Sequence, residues 1–202
     1  MFDASFNTED EIIAALVAGQ VVGIPTDTVY GLAADPLNAR ALRRLSKIKG
    51  RDSNQPIAVL FSELSKLAPY VEQIEQIQRI ELFWPGAMTA IVRAKQDGLS
   101  APLVTEQFTI GIRKPASETT LKILERMGGF LAVTSANKHD EPPANSAQEV
   151  IEIFGGEVSV LDGGSTSHGV ASTVVDFTYD TPRLLRQGAL EFEEVMKAWM
   201  KD

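Results

Sequence analysis

The sequence predicts an α/β protein: a twisted, mixed sheet flanked by helices. Three observations lead there. Short, almost uninterrupted apolar runs, such as residues 21–24 and 56–61, have the length and character of strands buried on both faces. Between such runs lie segments with apolar residues three and four apart, which read as helices packed on the sheet. The two kinds of segment do not alternate cleanly, so a mixed rather than fully parallel sheet is expected. At 202 residues, 44% hydrophobic and 23% charged, the chain suits one domain spanning 1–202. A chain of this length buries roughly 70% of the surface its unfolded form exposes.

The first helix is opened by Asn7 or Thr8 as N-cap, with Glu9, Asp10 and Glu11 in the first turn, where the helix dipole favours acids. Ile12, Ile13, Leu16 and Val17 form its apolar face, and Gly19 fits its stop. Residues 21–24 follow as a buried strand ended by Pro25. A helix is expected over 38–48, with Leu42, Leu45 and Ile48 on one side, and a second buried strand over 56–61. Helical patterns cover 63–68 and 71–83, stopped by Pro85-Gly86. Strands are expected at 87–93, 108–113, 130–134, 158–161 and 172–177, and helices at 117–127, 146–154 and 191–200. A short strand-like segment precedes Arg186.

Composition removes several function classes. Without cysteine there is no disulfide framework, cysteine zinc site, iron–sulfur cluster or thiol nucleophile. Two histidines, His139 and His168, argue against a multi-histidine metal centre. A net charge of −8 argues against a broad basic grip on nucleic acid. No run of 18 apolar residues exists, and the acidic first residues do not resemble an export leader, so a cytoplasmic protein without membrane contact is expected.

The common phosphate-binding fingerprints are missing. Gly164 to Gly169 has the glycine spacing of a P-loop, but Val170 stands where its lysine belongs. Other clusters carry two readings each. Pro25 to Gly31 is a hydroxyl-rich loop at a strand's carboxyl end, where open α/β sheets place ligands; Thr, Asp and Gly equally suit a satisfied turn. Lys49-Gly50-Arg51 closes a helix, either complementing the dipole or forming a phosphate clamp with a forked arginine. Arg113 ends an apolar strand and can meet solvent or a substrate carboxylate. Ser135 and Asn137 follow another strand, as a cap or as ligand contacts. Asp27 and Asp176 fit metal ligation, capping or surface roles.

The ordered set P-T-D-T-V-Y-G-L, K-G-R, W-P-G-x-x-T, G-x-R-x-P, S-A-N, S-T-V-V-D and R-x-G resembles the YrdC family over residues 8–190. The resemblance implies a YrdC-like α/β fold with one deep concave site, in the short form without the longer relatives' extra C-terminal domain. It implies an L-threonylcarbamoyladenylate synthase, a nucleotidyltransferase in the pathway to threonylcarbamoyladenosine in tRNA. The substrates would be L-threonine, bicarbonate and ATP, with Mg²⁺ accompanying the nucleotide. Product hand-over to a tRNA threonylcarbamoyl transferase, with weak or indirect tRNA contact, is implied as well. The alternative is a divergent YciO-like paralogue that binds RNA without synthase activity.

Carried over onto this sequence, Lys49 and Arg51 are the catalytic cations facing the ATP phosphates or the carbamate. Thr28, Arg113, Ser135 and Ser172 are threonine contacts, with Arg113 on its carboxylate. Gln55, Thr109, Asn137, Asn145 and Arg186 are nucleotide contacts; metal ligands are not identified. The sequence departs from the family's usual pattern at Asp52 (usually proline), at Leu60 (histidine in many longer relatives), and at His139 and Asp140 (serine and glycine). Removing the bidentate arginine in Arg51→Ala should cost about 1.5–3 kcal/mol of transition-state stabilisation, roughly a 10- to 150-fold loss of turnover. Unchanged turnover in that variant would remove Arg51 from the mechanism.

Overall fold

The computed structural model describes residues 6–50, 57–72, 74–96, 98–99, 102–167 and 169–200. Arg51, Asp52, Gln55 and His168 lie outside the described residues. Helix α1 (Glu9–Val17) starts from a capping box. The Thr8 hydroxyl accepts from the Glu11 N–H at 3.3 Å, and the Glu11 carboxylate accepts from the Thr8 N–H at 2.8 Å. Ile12 and Leu16 are buried, but Val17 is exposed. At about 100° per residue Val17 has rotated away from the Ile12 side of the helix.

Among the described residues nine strands form one mixed sheet: β1 (Val22–Ile24), β2 (Gly31–Ala34), β3 (Ala58–Phe61), β4 (Met88–Arg93), β5 (Thr109–Arg113), β6 (Phe130–Ser135), β7 (Ser159–Val160), β8 (Thr173–Asp176) and β9 (Arg183–Arg186). Their spatial order is β7-β1-β2-β6-β3-β5-β4-β8-β9. The pairs β1/β7, β3/β5 and β4/β8 are parallel and the other five antiparallel. Helices α2 (Ala39–Lys49), α4 (Glu118–Arg126), α5 (Ala147–Phe154) and α6 (Phe192–Trp199) lie where the sequence predicts them. Successive strand residues serve opposite faces. Leu32 and Ala34 join the core that holds Leu42, Leu45 and Val150 from α2 and α5. Ala33 joins the core that holds Ile12, Leu16, Ile123 and Leu124 from α1 and α4. No helix among the described residues is long and apolar enough to cross a membrane.

The structure departs from the sequence reading in three places. Strand β2 has no sequence signal, because Gly-Leu-Ala-Ala contains no β-branched or aromatic residue; pairing between β1 and β6 creates it. The pattern at 63–68 becomes a 3₁₀ turn, Leu64–Leu67. The pattern at 71–83 breaks into α3 (Ile74–Gln78) and a 3₁₀ turn, Glu81–Phe83. Its start is taken by the sheet: Val71 bridges to Ala94, and the Glu72 N–H donates to the Arg93 carbonyl at 2.9 Å.

The chain after β9 crosses tightly over the start of β8. The Gly188 N–H donates to the buried Thr173 hydroxyl at 3.0 Å. A Cβ on Gly188 would stand 2.2 Å from the Ala171 carbonyl oxygen and 2.5 Å from the Thr173 nitrogen, both backbone atoms. The glycine of R-x-G is therefore a steric requirement. Gly188→Ala should lose about 3 kcal/mol of stability, read as a fall of about 6–12 °C in Tm for a chain of this size. An unchanged Tm would show that the crossing yields easily.

Candidate active site

A cavity of about 210 Å³ lies on one face of the sheet, bounded on one side by Thr26 and residues 28–31. Its floor follows the two-residue period of strands. Ala58 and Leu60 come from β3, Thr89 and Ile91 from β4, Gly111 and Arg113 from β5, and Val133 and Ser135 from β6. The site is thus carried by a sheet face, not by strand ends alone.

Antiparallel pairing gives this floor two chemically different ends. At one end Arg113, 5% exposed, closes β5. Its Nε donates to the Gly86 carbonyl at 2.9 Å, Nη1 to the Thr28 hydroxyl at 2.8 Å, and Nη2 to Asp27 Oδ1 at 2.6 Å. Burial pushes the Arg113 pKa down; Asp27 opposes this, and nearby Arg186 adds to it. Of five guanidinium N–H groups, these bonds use three. The W-P-G-x-x-T motif supplies two supports here. Gly86 presents its carbonyl to Arg113, and the Thr89 and Ser172 hydroxyls bond each other at 2.8 Å. Arg186 donates to the Ser172 carbonyl through Nε at 3.2 Å and Nη2 at 2.9 Å, and burial lowers its pKa too.

At the other end stands Ser135. Lys49 is 1% exposed and is not part of the cavity wall. Its ammonium lies against Ser135, donating to the carbonyl at 2.7 Å and the hydroxyl at 3.2 Å, and to Asn137 Oδ1. The Asn137 amide donates to the Lys138 and Glu141 carbonyls at 2.8 and 2.7 Å. Gly50, left-handed at φ 68°, caps α2 and turns the chain directly after Lys49. The K-G-R and S-A-N motifs, 86 residues apart in sequence at Lys49 and Ser135, thus meet.

The structure therefore groups Thr28, Arg113, Ser172 and Arg186 at one end of the cavity, and Ser135, with Lys49 and Asn137 behind it, at the other. Thr109 does not line the wall, but it shares the Gly111 face of β5 on the Ser135 side. Its hydroxyl bonds the Thr105 hydroxyl at 2.7 Å. Asn145 is also outside the wall, accepting from the Thr166 hydroxyl at 3.2 Å. Arg51 and Gln55 fall outside the described residues. Asp176 accepts from the Thr178 N–H at 2.9 Å, a turn-capping role, whereas Asp27 is buried in its ion pair. Among the described residues no group of three or more His, Cys, Asp or Glu is placed to hold a metal ion. Sequence reasoning gave Asp27 only metal, capping or surface readings, where the structure buries it against Arg113, and gave Thr89 no role beyond its motif. Their signals were a polar residue inside P-T-D-T and a threonine inside an apolar strand.

A family model, Sua5/YciO/YrdC, described as telomere recombination, matches residues 14–188. A threonylcarbamoyl-AMP synthase of Pyrococcus abyssi is 36% identical over 182 residues, 89% of this chain and 53% of that protein. A threonylcarbamoyl-AMP synthase of Bacillus subtilis is 34% identical over 198 residues, 94% of this chain and 57% of that protein. The structure of P. abyssi Sua5 complexed with L-threonine matches with a TM-score of 0.86 at 34% identity, covering 96% of this chain and 58% of that one. The chain spans somewhat more than half the length of these relatives. With its motifs gathered around one sheet-face cavity, this chain belongs to the Sua5/YciO/YrdC family.

Proposed function

We propose that the protein is an L-threonylcarbamoyladenylate synthase. It condenses L-threonine, bicarbonate and MgATP to threonylcarbamoyl-AMP, pyrophosphate and water. The observation that carries this reading is the two-ended cavity: a buried arginine with spare donors at one end, and the Ser135 hydroxyl in front of a buried lysine at the other. Relatives named threonylcarbamoyl-AMP synthase, and one relative's complex with L-threonine, support it.

The size of the cavity matters. About 210 Å³ falls below the roughly 300–1,000 Å³ of sites for drug-sized ligands. It suits an amino acid, while a nucleotide extends beyond it toward Lys49. The free N–H groups of Arg113 take the threonine carboxylate, with Thr28 and Ser172 beside it. The threonine amine then points along the floor toward Ser135. Bicarbonate condenses with the unprotonated amine to a carbamate, and one amine proton leaves with the bicarbonate hydroxyl as water. A carbamate oxygen forms a bond to the α-phosphorus as the bond to pyrophosphate breaks. No protein nucleophile is needed. Lys49 and Arg51 supply positive charge on the nucleotide side, Arg186 adds a second cation at the Arg113 end, and Ser135 and Asn137 supply fixed dipoles. Mg²⁺ bound to ATP would offset part of its phosphate charge. The carbamate and the mixed anhydride both hydrolyse readily, which favours a cavity rather than an open surface. A cytoplasmic location and hand-over to a tRNA-modifying transferase belong to the same proposal.

The direct test incubates purified protein with ATP, Mg²⁺, bicarbonate and L-threonine. Threonylcarbamoyl-AMP and pyrophosphate should form only when threonine is present. Absence of both, beside an active synthase as control, would overturn the reading.

A further inference from the structure

Asp27 has no task in the scheme above, although it sits at the crossing of three segments. Its Oδ1 accepts from Arg113 Nη2 at 2.6 Å and from the Ala116 N–H at 3.0 Å, and its backbone carbonyl accepts from the Ser167 hydroxyl at 2.9 Å. It is not part of the wall of the main cavity; it lines a second cleft on the side of Ala116, Ser117 and residues 163–167. A ligand in the main cavity therefore meets Arg113, and Asp27 acts on it only through Arg113.

We propose that Asp27 is a positioning residue for L-threonine, fixing the Arg113 guanidinium so that its two uncommitted N–H groups meet the substrate carboxylate. The inference rests on the synthase reading. The three anchors on Arg113 fall on three different nitrogens, so the guanidinium plane can neither slide nor turn. Two of those anchors are neutral oxygens, Gly86 O and Thr28 Oγ1; Asp27 is the charged and shortest one. Asp27 is held in turn by Ala116 and Ser167, so the arrangement exists before any substrate arrives. A purely stabilising role fits poorly. Asp27 Oδ2 is buried without a hydrogen-bond partner, and an apolar replacement for a buried ion pair is often as stable or more so. What an apolar pair does not provide is a guanidinium held in one orientation for bidentate recognition.

Asp27→Asn keeps the shape and an oxygen acceptor for Ala116 and Arg113 but removes the charge. Steady-state kinetics should show the KM for L-threonine rising on the order of tenfold, with kcat at saturating threonine and the KM for ATP within about twofold. An unchanged KM for threonine overturns the proposal. So does a parallel fall in kcat and in affinity for both substrates, which marks a general structural role. If the wild-type protein neither turns over nor binds L-threonine in calorimetry, the synthase reading itself fails and the proposal falls with it. If the wild type is active and only the Asp27→Asn expectation fails, Asp27 alone is reassigned. Should the variant not fold, the wild-type guanidinium is observed by ¹⁵N NMR, with Arg113→Lys giving the assignment. Separate, slowly exchanging Nη signals are expected, and a single rotationally averaged signal overturns the proposal.

Discussion

A buried guanidinium constrains everything around it. Arg113 cannot lose its charge in any ordinary range, so its position at the end of an apolar strand demands donors' partners from the protein itself. Two separate segments supply them, the W-P-G turn through Gly86 and the P-T-D-T loop through Asp27 and Thr28, while the Ala116 N–H just before α4 braces Asp27. These segments are far apart in sequence, and satisfying one cation fixes where they meet. The same requirement leaves part of the guanidinium uncommitted beside a cavity, which is what the proposed threonine site rests on.

The second organising feature is the direction of the strands. Because β5 and β6 run in opposite senses on either side of β3, Arg113 and Ser135 lie at opposite ends of one floor. Small residues keep that floor concave. A Cβ at Gly31 would stand 2.6 Å from Val133 Cγ1, and one at Gly111 would stand 3.3 Å from the Ile91 side chain. An acidic chain of net charge −8 can therefore present a cationic interior without a basic surface, since net charge describes the whole molecule and not its cavity.

Much of this was legible in the sequence, for reasons particular to the residues. Apolar runs at β1, β3 and β6 and amphipathic patterns at α2, α4 and α5 marked the layers, because burial on two faces or on one face imposes different periods. Seven short motifs marked most of the cavity, because each places a polar or small residue where an apolar element ends. Strand β2 was illegible, since neighbours rather than propensity make it a strand. The breakup of 71–83 was illegible because the β4 end captures Val71 and Glu72. The pairing of Asp27 with Arg113 spans 86 residues and leaves no local pattern. Asp140 adopts φ 62°, so the backbone keeps the left-handed turn where the resemblance expects glycine.

The central claim is that Arg113 recognises a carboxylate. Calorimetry with L-threonine and with L-threoninol, which keeps the amine, hydroxyl and methyl groups but lacks the carboxylate, isolates that contact. The account predicts saturable binding of L-threonine and affinity for L-threoninol lower by at least about tenfold, the scale of a lost charge-assisted hydrogen bond to a buried arginine. Equal affinities for the two compounds would contradict it.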